Sequence, residues 1–84
     1  MPYRIANPIV PPPEQPSDMG AFCVYRRTDG HLVICDRRRP LARMTVEDYT
    51  PVRWEDGKAF EARVVARCRV MAEEAGELGK EWYP

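Results

Sequence analysis

The side chains able to do chemistry in this 84-residue chain are few, and they are poorly spaced for it. They are one histidine, His31, one serine, Ser17, and three cysteines, Cys23, Cys35 and Cys68. A catalytic nucleophile needs a base within hydrogen-bond reach, and that base needs a third group to orient it. His31 follows Asp29-Gly30 at a turn, and Ser17 falls in a proline-rich stretch, so the sequence offers no such trio. A zinc site takes about four ligands, and the cysteines show no Cys-x-x-Cys spacing. In the strand register expected below, Cys23 and Cys35 project from opposite faces and can neither chelate together nor form a disulfide. Cys68 falls on the buried stripe of a helix. All three read as small core residues.

Other reaction classes fare no better. Gly76-Glu77-Leu78-Gly79 is too sparse for a phosphate loop and sits at the wrong end of a helix for an anion. The carboxylates Glu47, Asp48, Glu55, Asp56 and Glu61 carry no sign of the burial that would split them into acid and base. They read as a solvated acidic face. The expectation is a non-enzymatic protein with no catalytic residues, no cofactor and no metal.

Charge is more informative. Thirteen basic and 13 acidic side chains cancel, so nothing draws the whole chain to nucleic acid or an anionic membrane. The signs are nonetheless segregated. Arg26, Arg27, Arg37, Arg38, Arg39 and Arg43 face only Asp29 and Asp36 in residues 20–45, and the acids gather in 46–62. The following helix has Arg63, Arg67 and Arg69 first, then Glu73, Glu74, Glu77 and Glu81. Arginine supplies nearly all the basic side chains, which favours planar two-pronged contacts and is equally what a GC-rich genome would produce. The six arginines, with Tyr25 as a stacking platform, are the candidate partner-binding residues, together with Glu73 and Glu77 at the acidic end. They would meet an acidic protein or, alternatively, phosphates. The rival expectation is that the basic linker pairs internally with Glu47 and Asp48.

The elements that must position these groups follow from the pattern. Residues 1–19 hold Pro2, Pro8, Pro11, Pro12, Pro13 and Pro16 and read as an extended arm. Tyr3 to Ala6 could add an edge strand, Ile9 and Val10 would anchor the arm, and Pro13 to Pro16 fits P-x-x-P. Residues 21–38 read as a β-hairpin, with Thr28-Asp29-Gly30-His31 as a two-residue type I′ turn. That turn sets Val24 opposite Cys35 and Cys23 opposite Asp36, and leaves both sheet faces partly apolar. Residues 44–54 read as either a short helical turn, capped by Thr45 with Asp48, or an edge strand through Val46, Val52 and Trp54. The helical turn is favoured. Residues 56–79 read as an amphipathic helix with Asp56 as N-cap and the stripe Phe60, Val64, Cys68, Met71, Ala75, Leu78, Trp82. Gly76 and Gly79 weaken its last turns.

The fold class is therefore α+β: a small antiparallel sheet, a hairpin plus one or two short strands, packed against one long C-terminal helix. Eighty-four residues make one domain with a marginal core, a size that often leans on a partner or a homodimer. Met1 to Ala6 lacks the apolar core of a signal peptide, no stretch is long enough to span a membrane, and the cysteines are unpaired. The expected compartment is a reducing cytoplasm.

Taken over its whole short length, and on run-on segments such as Trp54-Glu55-Asp56-Gly57-Lys58-Ala59-Phe60, the chain resembles small accessory proteins of phages and mobile elements, including anti-CRISPR proteins. That resemblance implies a compact, cofactor-free inhibitor or adaptor in the cytoplasm of a host cell. It would act by occupying a surface of a host protein or nucleoprotein complex. The alternative is a small nucleic-acid-binding regulator using Arg26, Arg27 and Arg37 to Arg39.

Overall fold

The computed structural model describes the backbone of residues 5–8 and all of residues 18–82. The proposed anchoring by Ile9 and Val10 and the Pro13–Pro16 motif lie outside the described residues. The fold is α+β. Four strands, β1 (Ile5–Pro8), β2 (Phe22–Arg27), β3 (Leu32–Asp36) and β4 (Thr45–Tyr49), form one antiparallel sheet in the order β1-β2-β3-β4. One helix, α1 (Gly57–Glu74), packs against β2 and β3.

The hairpin forms, but its register is one residue away from the expected one. Arg27 N–H donates to His31 O at 2.8 Å and Gly30 N–H donates to Arg27 O at 3.1 Å, so the loop is Thr28-Asp29-Gly30. A type I′ turn would force Asp29 into the left-handed region, which costs an L-residue roughly 1–2 kcal/mol. The three-residue loop restricts positive φ to Gly30, at +90°. The observed pairs are Val24 with Ile34, Cys23 with Cys35 and Phe22 with Asp36. Because strand side chains alternate, the shift re-sorts both faces. Phe22, Val24, Leu32 and Ile34 now share one face and form the main core with Phe60, Val64, Cys68 and Ala72 of α1. Cys23 and Cys35, expected on opposite faces, are neighbours on the other one. There they form a second cluster with Val33, flanked by Tyr25 and Met44. This face is closed too: Val33 and Cys35 are fully buried.

Residues 45–49 are a strand, not the favoured helical turn. Thr45, Val46 and Tyr49 are β-formers, and β3 presents an open edge whose hydrogen bonds are worth more than one isolated turn of helix. The strand stops before Pro51 and so does not run on to Val52 and Trp54. A one-residue irregularity opposite Ile34 and Cys35 brings Thr45, not Val46, against Cys35. Ahead of β4, Leu41–Arg43 make one 3₁₀ turn after Pro40.

Helix α1 starts as the sequence predicts. Asp56 Oδ1 accepts the Ala59 N–H at 2.7 Å. It ends at Glu74, short of Gly79, because Gly76 adopts φ +73°. Glu77 N–H donates to Ala72 O at 2.7 Å and Gly76 N–H to Glu73 O at 3.0 Å, the paired bonds of a Schellman end. The buried stripe is Phe60, Val64, Cys68 and Ala72, with Met71 half-buried and Ala75 and Leu78 outside it. After the helix, Lys80 runs parallel to Met19, and Gly20 N–H donates to Lys80 O at 2.8 Å. That returning segment packs beside Met19, which is 1% exposed.

Candidate functional site

The strand pleat decides where the hairpin arginines go. Arg26 and Arg27 are consecutive, so they leave the sheet on opposite sides. Arg26 lies on the helix side and binds Glu61 of α1 at 2.6 Å. Arg27 lies on the far side in a cluster at the hairpin end, pairing with Asp29 at 2.5 Å and also with Asp48. His31 belongs to the same cluster: its Nδ1 is 2.9 Å from Asp48 Oδ1. Asp48 thus orients the imidazole as it would a catalytic base, but the other ring nitrogen, Nε2, where a nucleophile would be needed, has the Asp29 carboxylate 4.0 Å away. The nearest thiol in sequence, Cys35, is four residues on along β3, about 13 Å away at strand spacing.

The β3–β4 connection splits the remaining four. Arg37 lies over the Tyr25 ring, 5.5 Å from its centroid, so Tyr25 is half-buried under a cation and is not an open stacking platform. Arg38 forks onto Asp36 with both contacts at 2.9 Å and reaches Glu77 at 2.6 Å. These hydrogen bonds hold Asp36 below the usual carboxylate range. Arg39 and Arg43 are exposed and make no ion pair among the described residues. Of the two acidic candidates, Glu77 is committed to Arg38, whereas Glu73 is exposed. The six arginines and Tyr25 therefore do not form one patch.

Internal pairing is more extensive than the rival expectation held, and its partners differ. Glu47 is forked by Arg67 of α1 with both contacts at 3.1 Å and accepts the Tyr49 hydroxyl, which holds its carboxyl low. Arg63 forks Glu55 at 3.0 Å, and Arg69 forks Asp18 at 2.9 and 3.0 Å. These pairs tie the helix to the segments around it. Among the described residues the basic linker's Arg39 and Arg43 make no ion pair, although Arg39 is close enough to Asp36 to help lower its carboxyl.

The arrangement exposes apolar groups that the sequence reading did not single out. Leu41 is 81% exposed and Trp54 88% exposed, while most other large apolar side chains among the described residues are inside. Leu41's signal was present, since it falls on no period-2 or period-3.6 pattern of a neighbouring element, whereas Trp54 sits at even spacing with Val46 and Val52 and reads as strand. Leu41 stands between Arg39 and Arg43 on a loop closed at its base, where Asp36 N–H donates to Met44 O at 2.9 Å. Arg39 N–H donates to Asp36 O at 3.1 Å within the same loop. The result is a fixed knob: one leucine on a 3₁₀ turn, bracketed by two exposed guanidinium groups that make no ion pair among the described residues.

The thiols are poor nucleophiles. Burial pushes Cys35 and Cys68 up to about 12 and raises Cys23 as well. Among the described residues no His, Cys, Asp and Glu side chains gather as a metal site, and no helix is long and apolar enough to cross a membrane. No protein-family model, no curated protein and no solved structure matches this chain.

Proposed function

We propose that this protein is a non-enzymatic binder that occupies a surface of another protein, as phage-encoded inhibitors of the anti-CRISPR type do. The observation that carries the reading is the Arg39–Leu41–Arg43 knob. A leucine left in water on a loop tied at both ends forgoes roughly 1.5–3 kcal/mol of burial that a partner can supply. Because the loop is already ordered, little entropy is lost on docking. The flanking arginines favour an acidic rim on the partner and steer its approach. The partner would be a host protein or a nucleoprotein complex.

The arginines proposed for phosphate binding are distributed between two sheet faces and largely paired, which favours a protein partner over bare nucleic acid. The test is capture from host lysate on the immobilised chain, with Leu41→Asp as the control. A partner held stoichiometrically by the parent and lost with Leu41→Asp supports the reading. A partner held equally by both contradicts it.

A further inference from the structure

We infer that Cys23 and Cys35 close to a reversible disulfide, a redox-sensitive brace at the root of the loop that carries Leu41. The two residues are direct partners across β2 and β3. Arg27 N–H donates to His31 O at 2.8 Å and Arg37 N–H to Ala21 O at 3.1 Å. Counting by twos from either bond makes Cys23 and Cys35 a hydrogen-bonded pair. Their Cα atoms are therefore about 5.5 Å apart, well inside the span that a disulfide bridges. The Cys23 thiol already points across the ladder, 3.9 Å from the Cys35 carbonyl oxygen. Cys68 lies in the core under α1, with the sheet between it and the pair.

The same pairing sets how firmly the bridge holds. In a hydrogen-bonded pair the Cβ atoms stand at the wide end of the cross-strand range, about 5.5 Å, whereas a disulfide holds them about 3.8 Å apart. Closing the bridge pinches the strands, and the strain it stores makes it easier to reduce than a permanent staple. Burial pushes the Cys23 thiol up, but the Arg37 guanidinium and the Tyr25 hydroxyl pull the other way. Arg37 makes no ion pair among the described residues, so its charge is left to act on Cys23, the attacking sulfur. When this end of the sheet opens, the Cys23 thiolate attacks one sulfur of a small disulfide such as oxidised glutathione. That S–S bond breaks, one thiolate leaves and a mixed disulfide forms. Cys35 gives up its proton, attacks the Cys23 sulfur and expels the second thiolate. The protein loses two electrons and two protons, and the small disulfide becomes two thiols. Both sulfurs are buried, so formation is slow. Asp36, next to Cys35, donates its N–H to Met44 O at 2.9 Å, and Met44 packs against the pair, which places the bridge under both stems of the Leu41 loop. The bridge closes whether or not that loop holds a partner.

Thiol–disulfide equilibration of the full chain tests the inference. The reduced protein, without denaturant, is equilibrated under nitrogen with mixtures of oxidised and reduced glutathione, quenched in acid, alkylated and mapped by mass spectrometry. In oxidised glutathione the monomer should lose two hydrogens, with Cys23 linked to Cys35 and Cys68 alkylated. Excess reduced glutathione should restore both thiols without denaturant. Cys35→Ser should stop at the first step and retain one glutathione on Cys23, and the mapping of the parent decides the question even where that variant fails to fold. In guanidinium chloride the parent should spread over the possible pairings, because loop closure depends only weakly on loop length. The inference is overturned if no mixture yields the two-hydrogen loss, if the native bridge includes Cys68, or if native and unfolded chains give the same links. A bridge that survives excess reduced glutathione also overturns it.

Discussion

Cys23 and Cys35 face each other across β2 and β3, with the Cys23 thiol 3.9 Å from the Cys35 carbonyl oxygen. The pairing follows from the three-residue hairpin loop and lies in a closed face. Burial pushes the Cys35 thiol up to about 12, so at pH 8 it is protonated and a poor nucleophile. A chromogenic disulfide reagent should therefore react with all three cysteines slowly in the native protein and at once in guanidinium chloride. Rapid release of one equivalent from the native protein would show that a thiol is accessible.

Side-chain space at the glycines predicts a ranking of stability. A Cβ built on Gly20 meets Glu77 Cβ at 2.9 Å, and the residue also holds φ +63°. Gly30 and Gly79 hold φ +90° with open space around them. Alanine at Gly30 or Gly79 should cost about 1 kcal/mol, from backbone strain alone. At Gly20 it should cost more, because Glu77 must leave and its pair with Arg38 goes with it. Thermal unfolding of the three single variants checks this, and equal midpoints would contradict it.

The same positions show what could be read from the sequence. Asp56, the Phe60–Cys68 stripe and Gly76 act locally, through a cap, a period and a left-handed stop, and these placed the helix start and its buried face. The hairpin's existence was equally local, but its register was not. Asp29-Gly30 satisfies a two-residue or a three-residue loop. The choice depends on gathering Phe22, Val24, Leu32 and Ile34 under α1, a tertiary demand that no window of sequence contains. Thr45-Val46-Glu47-Asp48 carries a capping pattern, yet the open edge of β3 recruits it as a strand. The candidate site was lost by the same mechanism. Adjacent arginines look like a cluster on paper, and the pleat sends Arg26 and Arg27 to opposite faces.

Acid should unfold the protein in a predictable window. Arg69, Arg38 and Arg67 hydrogen-bond to Asp18, Asp36 and Glu47 and lower all three carboxyls. A carboxyl with a depressed folded value stabilises above its unfolded value and loses that contribution as pH falls through the folded one. The melting temperature should therefore show no loss from these groups at neutral pH and should fall below about pH 4. Glu47→Gln should lower the melting temperature at pH 7 and shallow the acid slope. A midpoint that rises on acidification from pH 7 to 4 would be inconsistent with these pairings.

The Asp56 cap sets the scale for the helix. Asp56→Ala removes the acceptor for the Ala59 N–H and should cost about 1 kcal/mol, or roughly 4–8 °C in a domain of this size. Asp56→Ser should recover most of it. A serine variant no better than alanine would mean that the cap contributes little.

The central claim is that the Leu41 knob holds another protein, and stoichiometric capture after nuclease treatment tests it most directly. Host lysate is cleared of DNA and RNA and passed over the immobilised chain, and the bound protein is quantified against it across a salt series. The account predicts one partner near equimolar ratio, only modestly weakened by salt, reduced at least about tenfold by Leu41→Asp and weakened by Arg39→Ala with Arg43→Ala. Binding that falls steeply with salt, or is indifferent to Leu41→Asp, would contradict it.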